Sequence, residues 1–568
     1  MRWPKRRRAH ARDGMRRPPA AGQGGLRRLP PLLVVALLGV GGWAITADGA
    51  DERPPTTVAV APVDVGPVVT DSETAAALWF CAGAMATAGG EAEGLVIVSN
   101  AGTERAEGRL AVFASGEGVA TEPIEQAIEI EAGSRLTVRL SDVVEAPYAA
   151  VQVETRGGAV AVDLEVFGPT GHDVTPCATR ASDTWYLPWG QTVRGASMRL
   201  ALFNPFSGDA VVDVAFETEN GYRTPVEYEG RLVPGHRLVV LDDIDALVTI
   251  RQRVTAIITV RQGRLVASGL QTVTGANGEL AVDATTAAPE PSPAWFFADG
   301  RADAAALERY VVHNPSRETA EVELVLLDTG VSGVPASLRL PPGGTDEFIV
   351  NLAPGVALPL QHAALVQSRG DVPVVVARVL QTGAFRPSLE AAAAGEASTP
   401  TTDAGGGAGS GSGSAEGSSA AQPDAGVPAL AGALGDGLSM SLGTPVTATR
   451  WVLASAGSPP PSTGVVSVLN TGSLDAQVQV VAVRGSDRAT LADQVVAPGR
   501  RMQVALPADH WDSVVVVEAD QPVVAGRIVS YAAPVGLGSS PGVPLGATAS
   551  VAEPTTGLEA QQSPLDGG

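Results

Sequence analysis

The two cysteines are the residues whose chemistry is easiest to define. Cys81 and Cys177 are the only cysteines in the chain of 568 residues. An even number of cysteines in an oxidising compartment favours a disulfide. This bond would close a loop of about 97 residues and stabilise the fold by about 4 to 5 kcal/mol in the chain-entropy model. No Cys-x-x-Cys spacing or neighbouring histidine cluster supports a redox or metal role, so we predict a disulfide.

Three other patterns could carry chemistry, and each has a simpler explanation. Gly538–Gly542 matches the nucleophile-elbow pattern G-x-S-x-G, but an elbow needs a strand, a strained turn and a helix, and this match lies in a Gly- and Pro-rich tail. Asp242–Asp245 offers carboxylates at i and i+2 for calcium, without the EF-hand pattern. Five histidines lack zinc-site spacing and a clear acid partner, so we expect them at the surface or in turns: His172, His236, His313, His362 and His510. We predict no catalytic residue, no cofactor and no metal.

The tryptophans divide into two groups. Four of them open similar sequence blocks, reading WFCAG from Trp79, WYLPWG from Trp185, WFFADG from Trp295 and WVLA from Trp451. An exposed indole could lie on a sugar ring, but the constant position of these four relative to the strands favours core residues that fill one end of each block. Trp189 and Trp511 lie outside the repeated phase, so they are our candidates for exposed contact residues.

Further landmarks recur in every block. Each opening tryptophan is followed after 21, 19, 19 and 19 residues by an asparagine that ends an apolar run: Asn100, Asn204, Asn314 and Asn470. An alternating apolar and polar stretch begins six residues later, which indicates a half-buried antiparallel strand. We interpret the asparagine turns as hairpin loops. About six or seven short strands per block, without helical periodicity, predict an immunoglobulin-like β-sandwich.

The N-terminal segment predicts a membrane anchor. Residues 1–28 carry ten basic side chains against one acid, and residues 29–47 are uncharged and contain the run LLVVALL. This run is at the short end of what spans a bilayer, and positive-inside bias places residues 48–568 outside the cytoplasm. We favour a retained anchor over a cleaved signal peptide because the cleavage pattern is poor, although Arg27-Arg28 leaves a twin-arginine export signal open. The net charge of −22 despite this basic segment argues against nucleic-acid binding by the outer part.

The predicted fold class is all-β, with four tandem immunoglobulin-like β-sandwich modules behind one N-terminal transmembrane helix. In chain order we predict a basic cytoplasmic segment (1–28), a transmembrane signal anchor (29–47), a stalk (48–72), module 1 (73–180), module 2 (181–285), module 3 (286–385), a disordered Gly/Ser-rich linker (386–440), module 4 (441–533) and a disordered tail (534–568). We expect modules 1 to 3 to form a semi-rigid unit, with module 4 moving independently on its tether.

The blocks also resemble a known family. The opening from Trp295 to Gly300, followed by Asn314-Pro315, is similar to repeats that open with Trp-Tyr/Phe-x-Ala-Glu-Gly in secreted and membrane-anchored proteins of actinobacteria. The resemblance covers about residues 75–533 and is best in modules 2 and 3. It is to an uncharacterised family, a domain of unknown function, so it implies a location in the cell envelope and no biochemical activity.

Two functions fit these features, and an enzyme is a third and weaker possibility because sandwiches host many activities. The leading hypothesis is a non-enzymatic scaffold or interaction protein of the bacterial cell envelope, held by its membrane anchor and docking envelope proteins. The alternative is a protein that binds cell-wall carbohydrate, motivated by the acidic outer part and by Trp189 and Trp511. Binding to isolated cell wall that soluble glycan competes away would favour the alternative.

Overall fold

A computed structural model of the chain describes residues 67, 76–116, 122–274, 280–329, 336–353, 355–383, 437–545 and 550–551. These residues belong to one compact unit of the chain. The predicted cytoplasmic segment and anchor, most of the stalk and most of the linker lie outside the described residues. Within the described part, no helix has the length and apolar character needed to cross a bilayer.

The described residues form an all-β structure built of paired sheets. The strands of the first block are β1 (Ala77–Ala86), β2 (Glu93–Asn100), β3 (Ala106–Ser115), β4 (Ile124–Ile130), β5 (Arg135–Arg139), β6 (Ala146–Arg156), β7 (Val160–Gly168) and β8 (Gly171–Pro176). One sheet has the order β4-β3-β6-β1 and the other β5-β2-β7-β8, joined by a single parallel bridge between β1 and β2. This arrangement is consistent with a β-sandwich.

The second block repeats the plan with an interrupted edge. Its strands are β9 (Thr184–Leu187), β10 (Ala196–Asn204), β11 (Ala210–Thr218), β12 (Gly221–Arg223), β13 (Arg231–Val233), β14 (Arg237–Leu241), β15 (Val254–Gln262), β16 (Val266–Thr274) and β17 (Leu280–Thr286). The sheets are β12-β11-β15-β9 and β14-β10-β16-β17, and β13 also pairs with β11. The edge strand is therefore split into two short pieces.

The third block follows the plan of the first. Its strands are β18 (Ala294–Ala302), β19 (Ala306–His313), β20 (Ala320–Leu327), β21 (Ala336–Leu340), β22 (Thr345–Ile349), β23 (Leu360–Arg369), β24 (Val375–Thr382) and β25 (Gly437–Leu442). The sheets are β18-β23-β20-β21 and β22-β19-β24-β25. Since β25 begins at Gly437, the predicted linker overlaps a strand. Thr382 pairs directly with Gly437, so the two ends of the intervening segment are neighbours in one sheet.

The fourth block uses one long strand for two roles. Its strands are β26 (Val446–Leu453), β27 (Thr463–Asn470), β28 (Ala476–Arg484), β29 (Asp487–Val496), β30 (Arg501–Ala505), β31 (Val514–Ala532), β32 (Val535–Pro541), β33 (Val543–Pro544) and β34 (Ser550–Val551). The first part of β31 pairs with β26 and β28, and its second part pairs with β27 and β32. The predicted disordered tail therefore contains three strands of this sheet system, β32, β33 and β34.

Helical structure among the described residues is limited to single turns. These are α1 (Leu140–Val143), α2 (Ile244–Leu247) and three 3₁₀ turns at Val226–Tyr228, Val350–Leu352 and Ala508–His510. The strand prediction is confirmed by the burial of the alternating stretches. In β28, for example, Ala476, Val478 and Val480 are buried while Gln477 is exposed.

The opening tryptophans are core residues, as predicted. All four are at most 2% exposed. In the last three blocks the indole N–H donates to a backbone carbonyl. Trp185 donates to Leu265, just before β16, at 2.9 Å, and Trp295 donates to Val374, just before β24, at 2.8 Å. Trp451 donates to Val523, where the second part of β31 begins, at 3.0 Å. A repeated bond to the backbone explains why the tryptophan keeps a constant position in the sequence.

The four asparagines also have a shared role. Each side-chain amide donates to the carbonyl four residues later at 2.7 to 2.8 Å and to a carbonyl at the end of the next edge strand, and its oxygen accepts the N–H two residues on. The asparagine thus ties three backbone segments together. The interpretation of these turns as hairpins is wrong, because the strands on either side do not pair with each other. The loop crosses the sandwich, and the side chain replaces the ladder bonds that a hairpin would supply.

Candidate functional site

The last strand of each block lies at the centre of the described unit. These block-ending strands are β8, β17, β25 and β32, and together they form what we call the central junction. β8 contacts β17 and β32, and β25 contacts the same two strands, so the contacts form a closed circuit. The last strand of the fourth block therefore contacts the last strand of the first. The expectation that module 4 moves independently on a tether is wrong, since β32 and β33 pack within the same unit.

Equivalent residues of the junction strands make equivalent bonds. The register with the preceding strand places Asp173, Asp283, Ser439 and Gly538 at the same position. Each side chain accepts the backbone N–H of the next block-ending strand, in the pairs Asp173–Ala284 (2.9 Å), Asp283–Met440 and Ser439–Ser539 (3.0 Å). Gly538 has no side chain to continue the series, and a Cβ added there would lie 3.2 Å from Asp173 Oδ1.

Two carboxyl groups are buried in this junction. Asp173 is 0% exposed and Asp283 is 1% exposed. Burial raises the pKa of Asp173 well above its ordinary value, and the neighbouring Asp283 raises it further. Burial also raises the pKa of Asp283, to about 7, against the opposing effect of the Met440 N–H. Desolvation thus outweighs the hydrogen bonds for both groups, which favours their protonated forms below pH 7.

A layer of hydroxyl groups follows the carboxyl groups along the strands. Thr285 Oγ1 lies 3.2 Å from Asp283 Oδ2 and 3.0 Å from the Met440 carbonyl oxygen. Ser539 Oγ lies 3.2 Å from Ser441 Oγ. Because hydroxyls both donate and accept, this layer can satisfy its neighbours in either protonation state of the acids.

A pocket of about 70 Å³ lies where the block-ending strands end. Its walls are mainly apolar in surface and come from all four blocks, with two tryptophans, several Ser and Thr residues and five prolines from the strand ends and connectors: Pro176, Pro289, Pro445, Pro541 and Pro544. Pro67, from the segment before β1, also lines it. The volume is several times that needed for one water molecule. The pocket can hold a small apolar group, such as a prolyl or branched aliphatic side chain.

A buried ion pair closes the fourth block onto the first. Arg527 of β31 donates to Asp163 of β7 at 2.7 Å, and both side chains are 1% exposed. Asp163 also accepts the Ser455 N–H at 2.9 Å, and Arg527 donates to the Ser455 carbonyl oxygen. Nearby, Ser99 Oγ donates to the Ala454 carbonyl oxygen at 2.8 Å. The contact between these blocks is therefore polar, buried and specific.

A second polar group extends this contact towards the junction. Glu165 lies 3.3 Å from His172 Nε2 and accepts the Ser455 hydroxyl. The His172 ring stacks on Tyr531 of the fourth block with 3.5 Å between centroids. Burial acts to raise the pKa of Glu165, but the bond and charge of His172 reverse the effect and lower it.

The third block contains its own buried charge cluster. Arg378 donates to Asp299 at 2.8 Å, and Glu308 accepts from His362 at 2.6 Å. A Cβ on Gly300 would lie 2.4 Å from the His362 ring, so this glycine is needed to seat the histidine. The Ala-Asp-Gly part of the block opening thus has a structural explanation: the aspartate binds an arginine and the glycine leaves room for a ring.

The histidine prediction is wrong for three residues. His172, His313 and His362 are buried, at 8%, 2% and 0% exposure, and two of them have acid partners. His236 is exposed and His510 is half-buried, as expected. The sequence did not reveal the partners because the glutamates lie on other strands, 7 and 54 residues away.

The disulfide prediction is confirmed. Cys81 and Cys177 are bonded, with 4.8 Å between their Cα atoms and a sequence separation of 96. The bond joins β1 to the connector after β8, beside the bridge between Phe80 and Ala178. It therefore fixes the end of the first block to its opening strand.

Neither candidate contact tryptophan is freely exposed. Trp189 is 2% exposed and belongs to a core cluster that also contains Ala377 of the third block. It occupies the fifth position of its block opening, the position at which Ser455 of the fourth block contacts the first. Trp511 is half-buried, and the Arg135 guanidinium lies 4.9 Å from its ring centroid.

The remaining patterns do not assemble a site. Gly538–Gly542 lies in and just after β32, with Ser539 and Ser540 buried and no helix following, so the elbow geometry is absent there. Asp243 accepts a hydrogen bond from the Tyr228 hydroxyl. Among the described residues, no group of three or more His, Cys, Asp or Glu side chains could hold a metal ion.

Sequence reasoning missed the central junction. Asp173 and Asp283 were not selected because block-ending strands cannot be recognised before the blocks are known to meet. A signal was present: each aspartate interrupts a short run of residues that are otherwise uncharged and suited to a strand.

Comparison with known proteins gives one family. The family described as "Family of unknown function (DUF5719)" matches residues 72–242 and 170–427. The two matches overlap across the second block, as a repeated sequence would produce. A search of the curated proteins finds no match.

Proposed function

The chain belongs to this family of unknown function, and we propose that it is a membrane-anchored interaction protein of the bacterial cell envelope, acting by binding rather than catalysis. Its outer part would comprise four immunoglobulin-like modules joined through the central junction. The N-terminal basic and apolar segments support the anchor, and the disulfide supports an oxidising location outside the cytoplasm.

The observation that carries this proposal is the closed circuit of block-ending strands. Contacts from the fourth block to the first, including the ion pair of Arg527 and Asp163, convert a string of domains into one body. A body whose parts are fixed relative to one another can present contact residues from different blocks at constant spacing. Such preorganisation favours binding because less freedom is lost on association.

We propose the pocket at the strand ends as the contact site. Its apolar wall and ring of prolines fit a small apolar side chain from a partner protein, and Pro67 shows the kind of group that lies against it. Filling the pocket by Ala288→Leu should abolish partner capture, and because Ala288 is 0% exposed, the melting temperature of the variant is compared with that of wild type to separate loss of binding from loss of folding. The matched control is Ala127→Leu, at an exposed position of β4 outside the pocket.

The experiment compares three forms of the protein. Full-length protein is purified in detergent, and photo-cross-linking from Leu442 in the pocket wall is compared in envelope extract for the wild type, Ala288→Leu and Ala127→Leu. Loss of the cross-linked protein band only in the pocket variant supports the proposal. Equal cross-linking with all three forms would contradict it.

The carbohydrate alternative has lost part of its basis, because Trp189 is buried and Trp511 is partly covered. It predicts saturable binding to isolated cell wall that soluble glycan competes away.

The topology is tested separately: an alkaline-phosphatase fusion after residue 60 should be active and one before residue 28 inactive. Release of a form lacking about 5 kDa into the medium would instead indicate a cleaved signal peptide.

A further inference from the structure

The two junction aspartates lack the partners that buried acids usually have. Within the described part of the chain, the hydrogen bonds to Asp173 and Asp283 come from backbone N–H groups and hydroxyls, and none comes from a basic side chain. Other acids that are equally buried have a basic side chain as partner. Asp163 has Arg527, and Glu308 has His362. An unpaired buried carboxylate is costly, so such a group is retained in its neutral form.

Their bonds hold different blocks together. Asp173, on the first block, accepts from Ala284 of the second and lies 3.4 Å from the Ser439 hydroxyl of the third. Asp283, on the second block, accepts from Met440 of the third. Ser439 in turn joins Ser539 of the fourth. The buried pair is therefore part of the hydrogen-bond network that links all four blocks.

We propose that Asp173 and Asp283 form a proton-dependent clasp, which holds the central junction closed while the pair keeps a proton and loosens it when both groups ionise. Two negative charges in one dry site repel each other and cannot be hydrated unless the strands separate. The clasp would make the assembly of the blocks respond to the pH of its surroundings. This proposal concerns the folded unit and does not depend on the proposed function.

The other titratable groups around the pair do not neutralise it. His172, next to Asp173 on β8, turns to Glu165 of β7, and Arg527 of β31 is bound to Asp163. Tyr531 of β31 faces the same region, and burial raises the pKa of its hydroxyl well above the ordinary value, so it stays neutral. The sides contributed by β25 and β32 present serine hydroxyls.

The direction of the pH effect follows from the raised pKa of each aspartate. A carboxyl group whose pKa is higher in the folded state contributes stability at pH values below its unfolded pKa, and that stability is lost as pH rises through the folded value. For Asp283 the folded value is about 7. Opening then releases the Asp283 proton between its ordinary pKa of about 3.9 and pH 7, so the open population should increase by about tenfold per pH unit over that range, and the part of the increase due to Asp283 levels off above pH 7.

Other groups change stability over nearby pH values, so the variants must isolate the pair. Burial raises the pKa of Glu217 to about 7, which gives a trend of the same sign. Burial lowers the pKa of His313 to about 4, which gives the opposite trend as pH falls below 6.5. Asp173→Asn with Asp283→Asn removes only the pair's ionisation, and Glu217→Gln is the matched control.

The test measures opening with a buried thiol. Leu438→Cys is introduced on β25, where the native side chain is 1% exposed, into the full chain purified in detergent. The thiol labelling rate is measured from pH 5.5 to 8.5 and divided by the rate for the denatured chain at each pH. We expect the corrected rate to rise by at least about tenfold per unit from pH 5.5 to 7 with the native aspartates and with Glu217→Gln, and to stay flat with the two asparagines.

An identical pH profile with and without the aspartates would overturn the proposal. Should the double variant fail to fold, infrared spectroscopy provides a second measurement on the Glu217→Gln protein with native aspartates, because Glu217 would otherwise contribute a protonated carboxyl band over the same pH range. A protonated carboxyl band that disappears between pH 6 and 8.5, and is halved in the single variant Asp283→Asn, supports the clasp. Absence of that band at pH 6 contradicts it.

Discussion

The ion pair between Arg527 and Asp163 gives the sharpest test of how the fourth block is held. Both side chains are 1% exposed, and the two groups lie on strands of different blocks. Asp163→Asn keeps the shape and one acceptor but leaves the guanidinium charge buried without a counter-charge. Breaking a buried pair in this way costs about 3 to 5 kcal/mol.

The reverse variant should cost less. Arg527→Met leaves Asp163 buried, but a carboxylate can accept a proton whereas a guanidinium remains charged. Burial already raises the pKa of Asp163, with Arg527 opposing the shift, so removing the arginine favours the neutral acid. We expect a loss of about 1 to 3 kcal/mol at pH 7, decreasing as the pH is lowered towards 5.

Urea unfolding followed by tryptophan fluorescence measures both losses. The control is Arg109→Met, which breaks the exposed pair with Glu125, where the side chains are 49% and 47% exposed. That change should cost less than about 1 kcal/mol. The reasoning is refuted if Asp163→Asn costs no more than the control, or if Arg527→Met proves the more damaging of the two buried variants.

Three other outcomes follow from single features. Reducing the disulfide should lower the free energy of unfolding by about 4 to 5 kcal/mol, seen as a lower melting temperature only when reductant is present, because the bond spans 96 positions. Asn470→Ala should cost about 2 to 3 kcal/mol in urea unfolding, since three hydrogen bonds to the backbone are lost, one of them buried and two partly buried, while Asn220→Ala on the surface should change little. Gly300→Ala should lower the melting temperature through the clash with His362, whereas Gly208→Ala, with no neighbour within 4 Å, should not.

Local features of the fold could be predicted from the sequence. The tryptophan and asparagine landmarks recur because each side chain binds backbone of its own block, so selection for one block's fold leaves the same residue at the same spacing. Alternation gave the strands and the even cysteine count gave the disulfide. The pairing of strands was harder to predict, as the asparagine loops show. Alternation of apolar and polar residues shows that one face of a strand is buried, but it does not show which sheet contains the strand.

Contacts between blocks could not be predicted in this way. Trp189 is buried although it lies outside the repeated positions, so comparison between the blocks suggested exposure. The Gly/Ser-rich segment read as a tether because its composition gives no information on where its ends lie. Thr382 and Gly437 are in fact paired, since the segment is inserted between two adjacent strands of one sheet. Asp173 and Asp283 acquire their environment only when four blocks meet.

The central claim, that four blocks form one closed body, is tested most directly by cutting the segment between Thr382 and Gly437. A specific protease site is placed in the run from Gly409 to Ser414, and the cleaved full chain is examined by size-exclusion chromatography with mass detection. The paired strands and buried contacts predict that both fragments elute together in equal amounts, and separate only in denaturant. Elution of the C-terminal fragment by itself under native conditions, with its own cooperative unfolding, would contradict the closed circuit.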